Sequence, residues 1–429
     1  MGLSFYTFVL FFLSLYIHFS YVKSRSLNDI SLAPSLAPEA AITPKIQSST
    51  SRVFDVRSFG AVGDGVTDDT QAFKMAWDSA CDNDETATLL VPKHYTFLIQ
   101  STIFTGSCGN GVVFQIEGTI MAPDGPSVWP KGMSMRQWLV FYRVNGMSLQ
   151  GDGVIDGRGA KWWDLPCKPH KGPNGTTLPG PCDSPVAIRF FMSTNVTVKG
   201  LKVKNSPQFN FRFDGCHGVH IDSLNIKAPS LRMIVFWSQW WLGVINVDIK
   251  NITCGPSHGI SIGSLGMKNT RACVSNITVM DSFIKHSDNG VRIKTWQGGL
   301  GSVSQVKFIN IHMDTVRNPI MIDQYYCQTK GLCPNQTSAV RIHDITYQKI
   351  TGTYDYRTPP MHLGCSDSVP CTNLTFSDVE LMPSQGQNML SPFCWNAYGD
   401  LQTLTIPPVF CLLGGNPESF AESIDHSQC

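Results

Sequence analysis

The sequence predicts an all-β fold, a single right-handed parallel β-helix with a short N-terminal capping helix. Charged residues make up only 15% of the 429 residues, aromatic residues reach 10%, and glycine and proline number 37 and 26. This composition is too apolar for a disordered chain and too poor in glutamate, lysine and alanine for a helical bundle. It is typical of a β protein with many turns, and a repeat indicates which kind.

The repeat consists of short runs in which apolar and polar residues alternate, as in strands that bury one face. The runs begin at Val196, Val219, Val247, Ile277, Val306 and Val340, which are 23, 28, 30, 29 and 34 residues apart. Repeats of this length predict a solenoid in which each coil buries its apolar residues against the next. A β-sandwich or a propeller with irregular strands is the alternative.

The two ends of a solenoid need caps. The polar residues Thr67–Thr70 precede an apolar pattern that continues through Trp77 to Ala80. This order is typical of an amphipathic helix with an N-cap, and we expect it to cover the N-terminal end. The cysteine-rich tail after Cys365 is expected to seal the other end.

The N-terminal region is expected to lie outside the fold. Residues 1–24 contain one charged side chain, Lys23, and a nearly continuous apolar run from Tyr6 to Ile17. Its length and position predict a cleaved signal peptide rather than a membrane anchor, so we expect no stable membrane insertion. Residues 25–52 are rich in Ser, Pro and Ala and predict a flexible leader or pro-segment. The remaining residues, 53–429, are expected to form one domain.

Cysteines and glycosylation sequons agree with secretion. All 14 cysteines follow the apolar segment, as expected of an oxidised, secreted chain. Three pairs are close enough for local bridges: Cys167/Cys182, Cys327/Cys333 and Cys365/Cys371. Six Asn-x-Thr sequons occur, at Asn174, Asn195, Asn251, Asn276, Asn335 and Asn373. No Cys-x-x-Cys spacing or Cys/His cluster suggests a metal site, and no cofactor is expected.

The charge balance argues against a nucleic-acid partner. The chain has 33 basic and 32 acidic residues, and removal of Lys23 with the signal peptide leaves it neutral. A neutral chain lacks the field that attracts DNA or RNA. We expect a monomer that binds no nucleic acid.

Two segments carry candidate chemistry. Cys254–Ser264 places His258 between glycines at the start of a strand, where it can approach a ligand closely. In Asn289–Thr295, Arg292 and Lys294 are two residues apart and so share one strand face. Such a pair suits a carboxylate or a phosphate, and the repeat puts His258 about 5 Å from it along the stack. A structural histidine and a solvated strand face are the alternatives.

These segments, together with Phe54–Gly65, Gly153–Gly159 and the run that starts at Asn205–Gln208, resemble the plant polygalacturonases, which are pectin-degrading glycoside hydrolases. The resemblance extends from about Val53 to the C-terminus. It implies a right-handed parallel β-helix, secretion to the cell wall and no metal or organic cofactor. It also implies inverting hydrolysis of the α-1,4-galacturonosyl linkages of homogalacturonan.

The resemblance also assigns roles to residues. It implies that His258 is catalytic, lying beside the scissile bond and tuning the catalytic acid. It implies that Arg292 and Lys294 hold a galacturonate carboxylate. The substrate-binding set that it implies is completed by Tyr326, Asn205 and Gln208.

The two carboxyl groups that an inverting glycosidase needs are missing from their expected place. The family supplies them from an Asn-Thr-Asp segment and a Gly-Asp-Asp-Cys segment. In their place this chain has an aromatic stretch within Ser230–Gly243. No Asp or Glu lies between Asp222 and Asp248. The chain is therefore expected to be short by about one coil, on a repeat of roughly 20–50 residues. Cys254 is expected to be unpaired or to bridge to a different partner.

A shifted reading frame or exon boundary would account for this segment. Codons GAT GAT TGT GTT for Asp-Asp-Cys-Val, read one base later, encode Met-Ile-Val and then Phe or Leu, and Met233–Phe236 reads this way. The alternative is a genuinely divergent segment, packed as core or exposed as an apolar patch. The aromatic stretch lacks the alternation expected of a replacement strand.

The leading hypothesis is a polygalacturonase whose activity is reduced or lost. The rival is a non-catalytic pectin-binding wall protein that keeps Arg292, Lys294 and His258. A pectate lyase is the third reading, but its chemistry needs calcium held by clustered carboxylates, and the sequence has no such cluster.

Overall fold

The chain winds into a right-handed parallel β-helix, which confirms the predicted fold. The computed structural model describes residues 52–130, 132, 134–163, 170–171, 177–178, 184–227, 234–236, 243–327, 333–386, 388–417 and 429. The predicted signal peptide and nearly all of the predicted leader lie outside these residues. Arg52, assigned to the leader, begins the first strand, Arg52–Asp55. None of the helices in the described part of the chain is long and apolar enough to cross a membrane.

Sheet 1 forms one side of the solenoid. It contains ten parallel strands, each one coil after its neighbour. In chain order they are Thr102–Thr105, Gln137–Tyr142, Val186–Phe191, Phe211–Asp214, Ile234–Phe236, Ile260–Leu265, Asn289–Trp296, Asn318–Tyr326, Met361–Gly364 and Phe393–Trp395. Apart from Ile234–Phe236, the apolar positions of these strands point into the core, and the alternate positions form the outward face.

Sheet 2 wraps around the remainder of each coil and has nineteen strands. Its first row comprises Arg52–Asp55, Ala87–Val91, Val112–Ile116, Ser148–Gln150, Thr194–Lys199, His217–Asp222 and Val244–Lys250. Its second row comprises Asp64–Asp68, Thr96–Leu98, Thr119–Met121, Val154–Asp156, Lys202–Lys204, Asn225–Lys227 and Thr253–Cys254. Four long strands then run through both rows, and one short strand follows: Arg271–Lys285, Leu300–Val316, Arg341–Tyr354, Cys371–Pro383 and Ala397–Leu401. A separate antiparallel pair joins His170–Lys171 to Thr177–Leu178.

The predicted repeat is confirmed in register for five of its six starting residues. Val196, Val219, Val247, Ile277 and Val306 stack in one row of fully buried side chains. The prediction that Val340 is the sixth residue of this row is wrong, because Val306 pairs with Ile345. A longer connection precedes this strand, so the interval is 39 residues rather than 34.

Two columns of residues with left-handed backbone bend sheet 2 at matching places on successive coils. Asn246 (φ 59°) and Asn276 (φ 53°) belong to one column, and Asn310 (φ 52°) belongs to the other. Asparagine tolerates this conformation, and its amide can bond to the previous coil. Asn276 Nδ2 donates to Asn246 Oδ1 at 2.7 Å, and Asn310 Nδ2 donates to Asp281 Oδ1 at 2.6 Å.

The predicted capping helix is helix α1, Thr70–Cys81. It buries Phe73 and Trp77 on the first coil, and the Trp77 and Phe104 ring centroids are 5.2 Å apart. The N-cap residue is Asp69, but its carboxylate accepts from the backbone of Val62 and Gly63 instead of from the helix. The other helices among the described residues are short: the α-helix Ala160–Trp163 and the 3₁₀ segments Val56–Phe59, Pro126–Val128 and Met267–Asn269.

The region after Cys365 is only partly a cap, which corrects the expectation. It first adds strands to both sheets and then closes with a bridge between Cys394 and Cys411. Two of the three predicted local bridges form, Cys327–Cys333 and Cys365–Cys371, whereas Cys167 and Cys182 lie outside the described residues. Within the described part of the chain, two further bridges join Cys81 to Cys108 and Cys273 to Cys429. Cys216 and Cys254 are buried and carry no disulfide.

Candidate active site

The cation pair lies on the outward face of sheet 1. Arg292 and Lys294 flank Ile293, which is fully buried in the core, so both point away from the core as predicted. Their exposed fractions are only 9% and 6%, which excludes a solvated strand face. Arg292 Cζ lies 5.5 Å and Lys294 Nζ 5.1 Å from the ring centroid of Tyr326. The structure therefore brings these three predicted residues together.

His258 is one coil away from the cation pair. The strand that follows it pairs with the strand of Arg292, with Ser261 opposite Arg292. The imidazole Nδ1 lies 3.1 Å from Oδ2 of Asp288, which precedes that neighbouring strand. Asn289 Nδ2 donates to the His258 carbonyl oxygen at 3.2 Å, so the turn is tied to the next coil at two points.

The surroundings of His258 favour its neutral form. Burial lowers the pKa of the imidazole, and the charges of Lys294 and Arg292 lower this pKa further, whereas Asp288 opposes the shift. The Asp288 carboxylate accepts a hydrogen bond, so it favours a proton on Nδ1. Nε2 then carries a lone pair that can accept a proton or a hydrogen bond.

A second carboxylate, Asp323, completes the cluster. It pairs in register with Lys294, and its Oδ2 lies 3.4 Å from Nη2 of Arg292. Burial raises the pKa of the Tyr326 hydroxyl, and the charge of Asp323 adds to this shift while Arg292 opposes it. The sequence reasoning missed Asp288 and Asp323. Their separations of 30 and 31 residues from their partners are close to one repeat, which was the available signal.

Two buried hydrogen-bond donors beside this cluster donate to no acceptor within the described part of the protein. Arg292 Nε and Ser261 Oγ are buried and have no hydrogen-bond partner among the described residues. They face each other across adjacent strands. A buried donor without an acceptor costs about 1–3 kcal/mol, so the pair is suited to an anionic oxygen from a ligand.

Asn205 and Gln208 are not brought into this cluster. They lie in the turn after the strand Lys202–Lys204, two coils before the turn of His258, a separation of about 10 Å along the stack. Asn205 Nδ2 donates to Asp156 Oδ1 at 3.1 Å, which ties its turn to the preceding coil.

A charged triad, also missed from the sequence, lies on the N-terminal part of the same face. Asp214, only 1% exposed, accepts from Arg189 Nε at 2.7 Å and is 2.9 Å from Arg212 Nε. The two arginines pair in register on adjacent strands. With two cations and one anion, this triad extends the positive charge of the face.

The atypical segment of the sequence contributes one strand between the triad and His258. Ile234–Phe236 pairs with Phe211–Asp214 on one side and Ile260–Leu265 on the other. The sequence pattern did not identify this strand, which lies just before the aromatic stretch. The strand carries no carboxylate, and the aromatic stretch after it lies outside the described residues.

Within the described ranges, no group of three or more His, Cys, Asp or Glu side chains is arranged to hold a metal ion.

Comparison with known proteins identifies a family over most of the chain. Glycosyl hydrolases family 28 matches residues 81–232 and 241–396, so the interruption falls within the aromatic segment. A protein named a probable polygalacturonase from Arabidopsis thaliana is 39% identical over 380 residues, covering 83% of this chain and 84% of the relative. A polygalacturonase from Cryptomeria japonica is 39% identical over 357 residues, covering 78% of this chain and 68% of the relative.

Solved structures share the fold. An exopolygalacturonase from Thermotoga maritima superposes with a TM-score of 0.59 at 17% identity, covering 77% of this chain and 88% of that protein. An endo-xylogalacturonan hydrolase from Aspergillus tubingensis superposes with a TM-score of 0.57 at 20% identity, covering 82% and 99% respectively. At these identities the likeness supports the parallel β-helix.

Proposed function

The chain belongs to glycosyl hydrolases family 28, and from this membership we propose that it hydrolyses α-1,4-galacturonosyl linkages of pectin by inversion. The observation that carries the proposal is the cation pair of Arg292 and Lys294 on the outward face of sheet 1, next to His258. Polygalacturonate has one carboxylate on each sugar, and this site offers cationic donors for one of them.

We assign carboxylate binding to the cation pair. Arg292 presents its buried Nε, and Ser261 presents its hydroxyl beside it. Lys294 adds a second positive charge close to the Tyr326 ring. A carboxylate held here fixes one sugar of the chain, and the Tyr326 ring can contact that sugar. Asn205 and Gln208 are assigned to a more distant part of the same binding face.

His258 is assigned the catalytic position beside the scissile bond. Asp288 holds its Nδ1, which directs Nε2 away from the carboxylate and fixes the orientation of the ring. Through the lone pair on Nε2, His258 can accept a hydrogen bond and so tune the protonation of the group that donates a proton to the leaving oxygen.

The rate of hydrolysis is expected to be low. Inversion needs one carboxylic acid and one carboxylate base, and no Asp or Glu lies between Asp222 and Asp248. Loss of a general acid or base typically costs about 10²–10⁴-fold in rate. The same observation favours a second candidate function, a non-catalytic protein that binds pectin in the cell wall.

A reducing-sugar assay on polygalacturonate, run beside an intact relative, separates the two candidates. Slow release supports a weakened hydrolase, whereas binding without release supports the non-catalytic protein. The double variant Arg292→Gln and Lys294→Gln should lose binding of polygalacturonate. Lys307→Gln, an exposed lysine of sheet 2, is the matched control and should retain it. Equal binding by both variants would disprove the role of the cation pair.

We further propose that the protein is secreted to the cell wall and acts there as a monomer without a nucleic-acid partner. The apolar N-terminal run and the disulfides support secretion. N-terminal sequencing of the protein from culture medium should start near residues 20–25. Light scattering after gel filtration should give the mass of one chain.

A further inference from the structure

The outward face of sheet 1 continues past the cation pair to the C-terminal end of the solenoid. From Arg292, one row leads through Met321 and His362 to Phe393, with the residues paired in register on successive strands. The parallel row leads from Lys294 through Asp323 and Gly364 to Trp395. The last strand is three strand spacings, about 14 Å, from the strand of the cation pair.

Aromatic side chains cover this end of the face. Phe393 is 43% and Trp395 is 53% exposed, so two large rings on the same strand face are open to solvent. The His362 ring stacks on Phe393 with centroids 4.7 Å apart and 21° between the planes. Trp395 Nε1 donates to Asp367 Oδ1 at 2.6 Å, which orients the indole. We name His362, Phe393 and Trp395 the aromatic shelf.

The charge around the aromatic shelf differs from that at the cation pair. Asp367 contacts Trp395, and Asp323 lies between the shelf and the cation pair in the stacking order. Burial lowers the pKa of His362, and Arg292 adds to this shift while Asp323 opposes it. His362 is therefore largely neutral near pH 7, and the carboxylate that contacts the shelf is Asp367, since Asp323 is paired with Arg292. A free galacturonate would meet a carboxylate of the same sign there.

We infer that the aromatic shelf is a distal subsite for an uncharged galacturonosyl residue, one whose carboxyl is methyl-esterified. This inference rests on the proposed function, because the same pectin chain must occupy the cation pair. An exposed aromatic ring can cover the apolar C–H face of a pyranose. Methyl esterification removes the charge that the Asp367 carboxylate opposes, and it adds an apolar group. The protein thus recognises pectin with a free carboxylate at one position and an ester several sugars away.

Calorimetric binding to defined oligogalacturonides tests the inference. The probes are a fully unesterified trimer and a longer oligomer whose units distal to one free carboxylate are methyl-esterified. The double variant Phe393→Ala and Trp395→Ala should bind the esterified oligomer about tenfold more weakly and bind the trimer as the wild type does. Phe410→Ala, which removes a 90% exposed ring outside sheet 1, is the matched control and should change neither affinity.

The outcomes separate the inference from the proposed function. Unchanged affinity of the shelf variant for the esterified oligomer, with the trimer still bound, would overturn the inference alone. Failure of the wild type to bind the trimer would overturn the proposed function. Should the double variant not fold, Phe393→Leu keeps apolar volume without a ring and Trp395→Phe keeps a ring. The first should weaken binding of the esterified oligomer more than the second, and the reverse order contradicts the inference.

Discussion

His258 lies between one carboxylate and two cations, and these neighbours control its charge. Asp288 stabilises the protonated imidazole, whereas burial and the charges of Lys294 and Arg292 disfavour it. The pKa of His258 is therefore below its ordinary value in the folded protein, and the imidazole contributes no positive charge at neutral pH. Each neighbour can be removed separately, which makes the balance measurable.

Asp288→Asn should lower the pKa of His258 further. The substitution removes the anion that stabilises the imidazolium, while the burial and both cations remain. An NMR titration of the histidine rings, assigned with His258→Gln, measures the shift. Arg292→Gln should shift the pKa of His258 in the opposite direction, because the loss of a cation should raise this pKa. Shifts of the same sign in both variants would show that the two side chains do not act on His258 through charge.

The thiols of Cys216 and Cys254 should be unreactive in the native protein. Burial raises the pKa of each thiol to about 12, so the reactive thiolate is scarce at pH 8. Iodoacetamide labelling followed by peptide mass mapping should find both cysteines unmodified in the native state and modified after denaturation without reductant. Rapid labelling of Cys254 in the native state would mean that its coil opens or that the thiol is exposed.

The strands of sheet 2 depend on left-handed residues at fixed positions in each coil. Asparagines fill many of these positions, and four of them, Asn195, Asn251, Asn276 and Asn373, are also sequon asparagines. Their recurrence therefore has a structural cause in addition to any glycosylation. Asn310 separates the two effects, because it is left-handed, bonds to Asp281 and lies outside a sequon.

Asn310→Ala should lower the free energy of unfolding by about 2 kcal/mol, through the left-handed backbone and the lost hydrogen bond. Asn310→Gly should lower it by only about 1 kcal/mol, because glycine adopts this conformation without a steric penalty. Urea unfolding followed by circular dichroism gives both values. A glycine variant as unstable as the alanine variant would assign the whole effect to the side chain.

The elements show how far the sequence could predict this fold. Alternation identified the strands, and the spacing from Val196 to Val306 gave the register of successive coils. The predicted register was wrong at Val340, because the long connection before this strand changes the repeat length but leaves the alternation of apolar and polar residues unchanged. The strand Ile234–Phe236 was also missed, since three residues between two existing strands can join a sheet by backbone pairing alone.

The site was predicted less completely than the fold. Arg292, Lys294, Tyr326 and His258 belong to local motifs and come together as expected. Asp288 and Asp323 are recognised only when the coils are stacked, because each meets its partner about one repeat away. The hydrogen bond from Asn205 to Asp156 also joins stacked coils, and these two residues are 49 positions apart in the sequence.

The molecule as a whole is nearly neutral, with 33 basic and 32 acidic residues, so any attraction for a polyanion must come from local charge. Binding of polygalacturonate should weaken as sodium chloride rises, because salt screens the attraction between charges. The double variant Arg292→Gln and Lys294→Gln should show a much smaller salt dependence. Calorimetry from 50 to 300 mM salt tests this, and an unchanged dependence in the variant would assign the attraction to other cations.

The final residue, Cys429, is bridged to Cys273, 156 residues earlier. The strands from Leu300–Val316 to Ala397–Leu401 therefore lie within a closed covalent loop. A force that pulls on Cys429 and on the chain before Cys273 passes through the bridge and bypasses these coils, including the aromatic shelf. Reduction of the bridge should add roughly 500 Å to the length released on full extension, at about 3.3–3.6 Å per residue. The C-terminal coils of the binding face would thus be shielded from this mechanical load while the bridge is intact.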